Sequence, residues 1–303
     1  MNVKTLNFRP ILYLLFTVIG GSQSKELARK IASKLDCKYV DSKITIFPDG
    51  ESKITLPETL TGTVVVVQTT YPHADTNMMR ALALIAKAKK TASRVIAVIP
   101  YLCYMRQDME FLPGEIVTSK MVAKLLGATG AAKIITVDIH SNLAVNYFDV
   151  PLVNTSAIPK MAGYFRKLDL KCPMIISPDL FWSKKAKQFA EMLGAEQIAL
   201  NKQRDRKTGK LKILHQKNLD LSGRDVVLID DMISTGNSMI LAARYAKSCY
   251  CRRIFAVCTH PLLVDNAEKR LMDADIDKII SSNTIEHKTN QVDVSDIIAQ
   301  SIE

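Results

Sequence analysis

The sequence predicts an α/β protein with doubly wound, mostly parallel sheets. Three observations predict it. Short apolar runs recur along the chain, amphipathic helical stretches separate them, and 303 residues exceed what one domain of about 100–200 residues usually holds.

The runs are Val64–Val67, Val95–Ile99, Ile134–Val137, Met174–Ile176, Val226–Ile229 and Ile254–Val257. Each is short and continuously apolar, the pattern of a strand buried on both faces of a parallel sheet. Ile11–Ile19 reads as a first strand as well. Lys4 and Arg9 before it, and Gly20-Gly21-Ser22 after it, imitate a signal-peptide outline, but the run is too short to span a bilayer as a helix. Gly-Gly-Ser instead turns the chain into a helix starting near Ser24, and residues 1–12 read as a short extension or an upstream start.

Helical spacing follows. Asp75–Lys90 places Met78, Leu82, Ile85 and Ala86 on one face, and Val117–Leu126 and Asn237–Ser248 read similarly. Val294–Ile302 reads as a last amphipathic helix. The alternation pauses between Pro151 and Pro159, which predicts an N-terminal domain over 1–155 and a C-terminal domain over 156–303, with about five strands each. The last helix, about 294–303, is able to pack back on the N-terminal domain.

Composition narrows the function. Hydrophobic residues make up 48% and charged residues 23%, ordinary values for a globular protein. A net charge of +11 favours anionic partners. The basic residues are scattered except across Lys202–Lys217, where aromatics do not interleave, which argues for nucleotides and sugar phosphates and against nucleic acid. The six cysteines (Cys37, Cys103, Cys172, Cys249, Cys251 and Cys258) form no CxxC pair. They read as reduced thiols of a cytoplasmic protein, with no zinc site and no membrane segment.

Chemistry first shows between Val226 and Ser238. A buried strand ends in Asp230-Asp231, a small polar loop follows through Ser234-Thr235-Gly236, and a helix begins at Asn237. Ligands of open α/β sheets bind at the carboxyl ends of strands. Loop amides at a helix N-terminus suit an anion, whereas the two carboxylates suit sugar hydroxyls or a metal ion. Together they fit a ribose phosphate. Neither GxxxxGK[ST] nor GxGxxG occurs, so a P-loop or a dinucleotide fold is unsupported.

This segment resembles the phosphoribosyl diphosphate loop of the type I phosphoribosyltransferase fold, which nucleobase phosphoribosyltransferases share with ribose-phosphate pyrophosphokinases. Further stretches, in order, are similar to the pyrophosphokinase family, and phosphoribosyltransferases would have no reason to carry the first two: Phe47-Pro48-Asp49-Gly50-Glu51, Pro100 to Asp108, Thr136 to His140, Ser177-Pro178-Asp179 and Lys202-Gln203-Arg204. The resemblance spans about Gly20 to Ile302 and is greatest to the short, archaeal-type members.

It implies two phosphoribosyltransferase-like domains and transfer of the β,γ-diphosphoryl group of ATP to ribose 5-phosphate. ATP would meet Phe47, Asp49, Gly50 and Glu51 of a neighbouring subunit, together with Arg106, Gln107 and Asp108. Ribose 5-phosphate would meet Asp230, Asp231, Ser234, Thr235, Gly236, Asn237 and Ser238. Mg2+ would be held in part by His140 and Asp179, and Lys202 and Arg204 would be catalytic. Because one subunit serves another's ATP, a homo-oligomer of at least two chains is implied.

These roles suit the residue types. A guanidinium offers a fork for phosphate oxygens, and magnesium takes oxygen ligands alongside substrate and water. Three departures from the family pattern stand out: Ser234 for an acidic residue, Gly236-Asn237-Ser238 for Gly-Gly-Thr, and Leu180-Phe181-Trp182 where glycines are usual. The last is expected to narrow the ribose phosphate site or reshape the metal site. A nucleobase phosphoribosyltransferase and a non-catalytic regulatory homologue are the alternative readings.

Overall fold

The computed structural model describes residues 16–56, 60–204, 211–213 and 219–303, with backbone alone for 202–204 and 211–213. The chain forms two compact units, Met1–Thr155 with Ser295–Glu303, and Ser156–Val294.

In the first unit the order is β1 (Phe16–Gly20), α1 (Lys25–Lys34), β2 (Lys38–Asp41), β3 (Lys43–Ile46), β4 (Ser52–Thr55), β5 (Thr63–Val67), α2 (Ala74–Lys89), β6 (Arg94–Val98), α3 (Thr118–Ala128), β7 (Lys133–Val137), α4 (Asn142–Val145) and β8 (Leu152–Thr155). Its sheet runs β2-β1-β5-β6-β7-β8, all parallel. The second unit contains α5 (Ile158–Phe165), β9 (Met174–Ser177), α6 (Ser183–Leu193), β10 (Glu196–Ala199), β11 (Lys202–Arg204), β12 (Leu211–Ile213), β13 (Asp225–Ile233), α7 (Asn237–Ser248), β14 (Arg253–Pro261), α8 (Ala267–Met272), β15 (Lys278–Ser282) and β16 (Asn290–Val292). Its parallel sheet runs β10-β9-β13-β14-β15-β16. The closing helix α9 (Ser295–Ile302) belongs to the first unit, where Lys133 donates to the Ser301 carbonyl.

The two sheets share one plan. In each, the second strand lies outside the first and the third returns to the first strand's other side, so the strand order reverses once. In each, an antiparallel hairpin is inserted at the same place: β3-β4 before β5, and β11-β12 before β13.

The apolar runs form the central strands because they have no polar face to expose. Val64–Val67, Ile134 and Ile135, and Val226–Ile229 are all buried. Six strands occupy each parallel sheet among the described residues, more than the five expected. The additional ones, such as β2 (Lys-Tyr-Val-Asp) and β16 (Asn-Gln-Val), are short edge strands with exposed polar residues. They lack the continuous apolar run that reveals a strand buried on both faces.

Candidate functional site

The second unit gathers its chemistry at the carboxyl edge of three neighbouring strands. β10 pairs with β9 through Ala199 and Ser177, and β13 pairs with β9 through Leu228 and Ile176. Asp179 just beyond β9, the start of β11 just beyond β10, and Asp230-Asp231 toward the carboxyl end of β13 therefore lie along one edge of the sheet. The strand order reverses between β9 and β13, the place where open α/β sheets form a ligand crevice.

The strand carrying the aspartates is longer than its apolar run. The sequence pattern ends it at the carboxylates, but β13 continues through Met232, paired with His260, to Ile233, paired with Pro261. Each carboxylate is fixed by the next amide: Asp230 Oδ1 accepts from Asp231 N at 3.0 Å, and Asp231 Oδ1 from Met232 N at 2.7 Å. Asp231 is buried and Asp230 half-buried. Opposite Asp230 lies Cys258, whose thiol is pushed far above its usual range by burial and then by the two nearby carboxylates, so it adds no charge.

Beyond the strand, Ser234-Thr235-Gly236 turns the chain into α7. Leu263 N donates to Ile233 O at 2.8 Å and Val264 N to Ser234 O at 3.2 Å, holding the loop's first half. Gly236 has φ +77°, and a Cβ there would lie 3.2 Å from Leu271 Cγ, so the position calls for glycine on two counts. The left-handed residue is Gly236; Asn237 is the first residue of the helix, so the Asn in place of Gly carries no backbone strain. Ser238 follows within α7. The first turn of α7 holds no acidic residue, which leaves the positive end of its dipole for an anion.

Two contacts escaped the sequence. Arg270 of α8 donates through Nη1 to Thr235 O at 3.1 Å and through Nη2 to Asn237 Oδ1 at 2.5 Å. No motif marks it, because it lies 33 residues beyond Asn237 on an ordinary short helix. Asp179 also shapes its own turn, where its Oδ1 accepts from Phe181 N at 3.1 Å and Trp182 N at 3.4 Å. Of the bulky residues after it, Leu180 and Phe181 are 59% and 58% exposed, and Trp182 is 4% exposed. Two of the three thus face solvent and the tryptophan is part of the packed interior.

Lys202 and Arg204 lie in β11, paired with Ile213 and Leu211 of β12. The expected hairpin turn at Thr208-Gly209 lies outside the described residues.

In the first unit, Phe47–Glu51 forms the tip of the β3-β4 hairpin. Phe47 N donates to Glu51 O and Gly50 N to Phe47 O, both at 2.9 Å. Asp49 Oδ1 accepts from Glu51 N at 3.1 Å, and Gly50 takes φ +93°. The whole tip is exposed, with Phe47 at 43%.

Arg106, Gln107 and Asp108 follow β6, and His140 follows β7. The structure joins these two loops. Ser141, next to His140, donates to Asp108 Oδ2, and Tyr147 donates its hydroxyl to Asp108 O at 2.7 Å. Gln107 is held by Thr118 Oγ1 at 2.6 Å and Ser119 Oγ at 2.9 Å. Arg106 is exposed. Asp138, two residues before His140, is buried with φ +40°. No residue pattern around it signals that strained backbone.

No group of three or more His, Cys, Asp or Glu side chains is placed to hold a metal among the described residues. The expected donors His140 and Asp179 each follow a strand end, His140 after β7 in the first unit and Asp179 after β9 in the second. A carboxylate such as Asp179 suits Mg2+, which keeps waters and substrate oxygens as most of its ligands.

Comparison with known proteins covers nearly the whole chain. The N-terminal domain of ribose phosphate pyrophosphokinase matches residues 16–130, and the phosphoribosyl synthetase-associated domain matches residues 195–303. The chain is 36% identical to ribose-phosphate pyrophosphokinase of Methanopyrus kandleri, over 94% of this chain and 98% of the relative. It is 35% identical to that of Sulfolobus acidocaldarius, over 94% and 99%. The crystal structure of phosphoribosylpyrophosphate synthetase from Mycobacterium smegmatis superimposes with a TM-score of 0.84 at 25% identity, covering 95% of this chain and 97% of that one.

Proposed function

The chain belongs to the ribose-phosphate pyrophosphokinase family, and from that premise we propose how its residues make 5-phosphoribosyl 1-diphosphate from ATP and ribose 5-phosphate. The reaction transfers the β,γ-diphosphoryl group of ATP to the anomeric hydroxyl. The hydroxyl oxygen bonds to the β-phosphorus and gives up its proton. The bond from that phosphorus to the α,β-bridging oxygen breaks, and AMP leaves with the oxygen.

The observation that carries this reading is the carboxylate pair and the small polar loop at the N-terminus of α7, along one sheet edge, in a chain that matches the family over 94% of its length. Asp230 and Asp231 accept hydrogen bonds from the ribose hydroxyls. Ser234, Thr235, Gly236, Asn237 and Ser238 receive the 5-phosphate at the N-terminus of α7. Arg106, Gln107 and Asp108 bind ATP, joined by Phe47, Asp49, Gly50 and Glu51 of a second copy of the chain. Lys202 and Arg204 stabilise the charge that develops on the transferring group. His140 and Asp179 would hold Mg2+ in part, and the ion when bound neutralises phosphate charge. Since positioning and charge neutralisation dominate such transfers, no covalent intermediate with the protein is needed.

A homo-oligomer follows from this assignment. The first unit exposes Met79, Met109, Phe111, Leu112, Ile116 and Met121, large apolar side chains of the kind that pack between subunits. No helix among the described residues is long and apolar enough to cross a membrane. All six cysteines are free, in keeping with a cytoplasmic setting.

The deciding experiment mixes the purified protein with ATP, Mg2+ and ribose 5-phosphate and measures AMP and the diphosphorylated sugar. Formation of both in equal amounts is the expected result. Absence of AMP would sink the assignment, and pyrophosphate release from 5-phosphoribosyl 1-diphosphate on adding a nucleobase would favour a phosphoribosyltransferase.

A further inference from the structure

We propose that Arg270 is a positioning residue for ribose 5-phosphate, setting the shape of the phosphate loop through one hydrogen bond on either side of Gly236. The inference rests on the reading of Ser234–Ser238 as the 5-phosphate cradle.

Arg270 Nη1 bonds to the carbonyl of Thr235 and Nη2 to the side chain of Asn237, the residues flanking Gly236. Gly236 is the loop's left-handed residue, and its Cα faces Leu271, the next residue of the same helix as Arg270. Two successive residues of α8, one cationic and one fully buried, thus bracket the point where the backbone changes hand. The path into α8 is tied down as well, by the bonds from Leu263 and Val264 to Ile233 and Ser234.

A loop that binds a phosphate through backbone amides must hold those amides converged before the ligand arrives. Otherwise ordering them opposes binding. Arg270 supplies that order here, and it brings a positive charge beside a cradle whose helix carries no acidic residue in its first turn. The chain's own departure from the family pattern completes the device. Asn237 provides the acceptor for Nη2, an atom that glycine at that position would lack. The bond is to a charged donor, the stronger class, and the planar fork reaches both acceptors at once.

The test is steady-state kinetics and thermal melting of the full-length enzyme. Arg270→Gln should raise KM for ribose 5-phosphate roughly tenfold or more, with kcat and KM for ATP within about twofold. Arg270→Lys should recover part of the loss, because an ammonium can meet one acceptor but not both. Asn237→Gly should give a smaller rise, and the double variant should fall short of the product of the two single effects.

An unchanged KM for ribose 5-phosphate, a loss in kcat alone, or equal weakening of both substrates with a lowered melting temperature would each overturn the proposal. Gly236→Val separates this from the cradle reading. If it leaves KM for ribose 5-phosphate unchanged, the cradle itself is misassigned. If it raises that KM while Arg270→Gln does not, the proposal for Arg270 alone fails.

Discussion

Ser141 donates its hydroxyl hydrogen to the Asp108 carboxylate, tying the loop after β6 to the loop after β7. The same oxygen accepts from Leu143 N at 3.1 Å and Ala144 N at 3.2 Å, so one side chain starts α4 and holds a residue of the proposed ATP segment. Ser141→Ala removes both functions. Loss of the cap costs about 1 kcal/mol, and the freed Asp108 is expected to raise KM for ATP several-fold, by about 1 kcal/mol of lost positioning. KM for ribose 5-phosphate should stay as it was. Equal KM values for ATP in variant and parent would show that Asp108 needs no such tether.

Lys202 stands at the first position of β11, shortly after the carboxyl end of β10 at Ala199. If its ammonium meets charge that develops only during transfer, Lys202→Ala should lower kcat by roughly 10²–10³-fold and leave the melting temperature in place. Stopped-flow or coupled measurement of AMP formation decides it. Turnover equal to the parent's would remove Lys202 from the catalytic role, whatever the family match implies.

Gly50 offers a case where space and backbone can be told apart. Nothing lies within 4 Å of a Cβ added there, yet φ is +93°. Gly50→Ala meets no clash and must still leave or strain the turn, at a cost of about 1 kcal/mol. The tip is exposed, so global stability should change little while the geometry of Asp49 and Glu51 shifts. The expected outcome is a higher KM for ATP in the assembled enzyme. Unchanged ATP kinetics would show that the tip does not contact the nucleotide.

The legible parts of this chain are those where one residue pattern has one physical meaning. Continuous apolar runs such as Val64–Val67 form buried strands, and Asn237–Ser248 has the bounds its pattern predicts because a small polar loop precedes its apolar spacing. The edge strands β2 and β16 are not legible, because a half-exposed edge has no such run. The extent of β13 is hidden for a related reason. Asp230 and Asp231 look like a strand's end, but β13 stays paired with β14 through to Ile233, while each carboxylate accepts from the next residue's backbone amide. Arg270 is invisible for a different reason. Its partners are a carbonyl and a carboxamide 35 and 33 residues away, and the sequence does not record which exposed arginine folds back onto which loop.

At the amino end of β13, away from the site, Asp225 is wholly buried beneath Arg252 and Arg253. Each guanidinium bonds both carboxylate oxygens, at 2.7 to 3.1 Å, and Lys171 N adds a bond of 2.9 Å. Burial alone would raise the carboxyl's pKa, but the bonds from Arg253, Arg252 and Lys171 outweigh it and hold it well below the ordinary 3.8. The folded state therefore binds this proton less readily than the unfolded one. The contribution to stability is fully present above the unfolded value and is lost as the pH falls below it. Asp225→Asn leaves two half-exposed guanidinium groups without their charge partner and should cost about 3 kcal/mol near neutral pH. That deficit should shrink as parent and variant are compared at pH values falling below about 4, where the parent's unfolded chain takes up the proton that the folded carboxylate still refuses. Denaturant unfolding at a series of pH values measures it. A deficit that stays constant down the whole acid range would mean that Asp225 stabilises the second unit by packing and not by its charge.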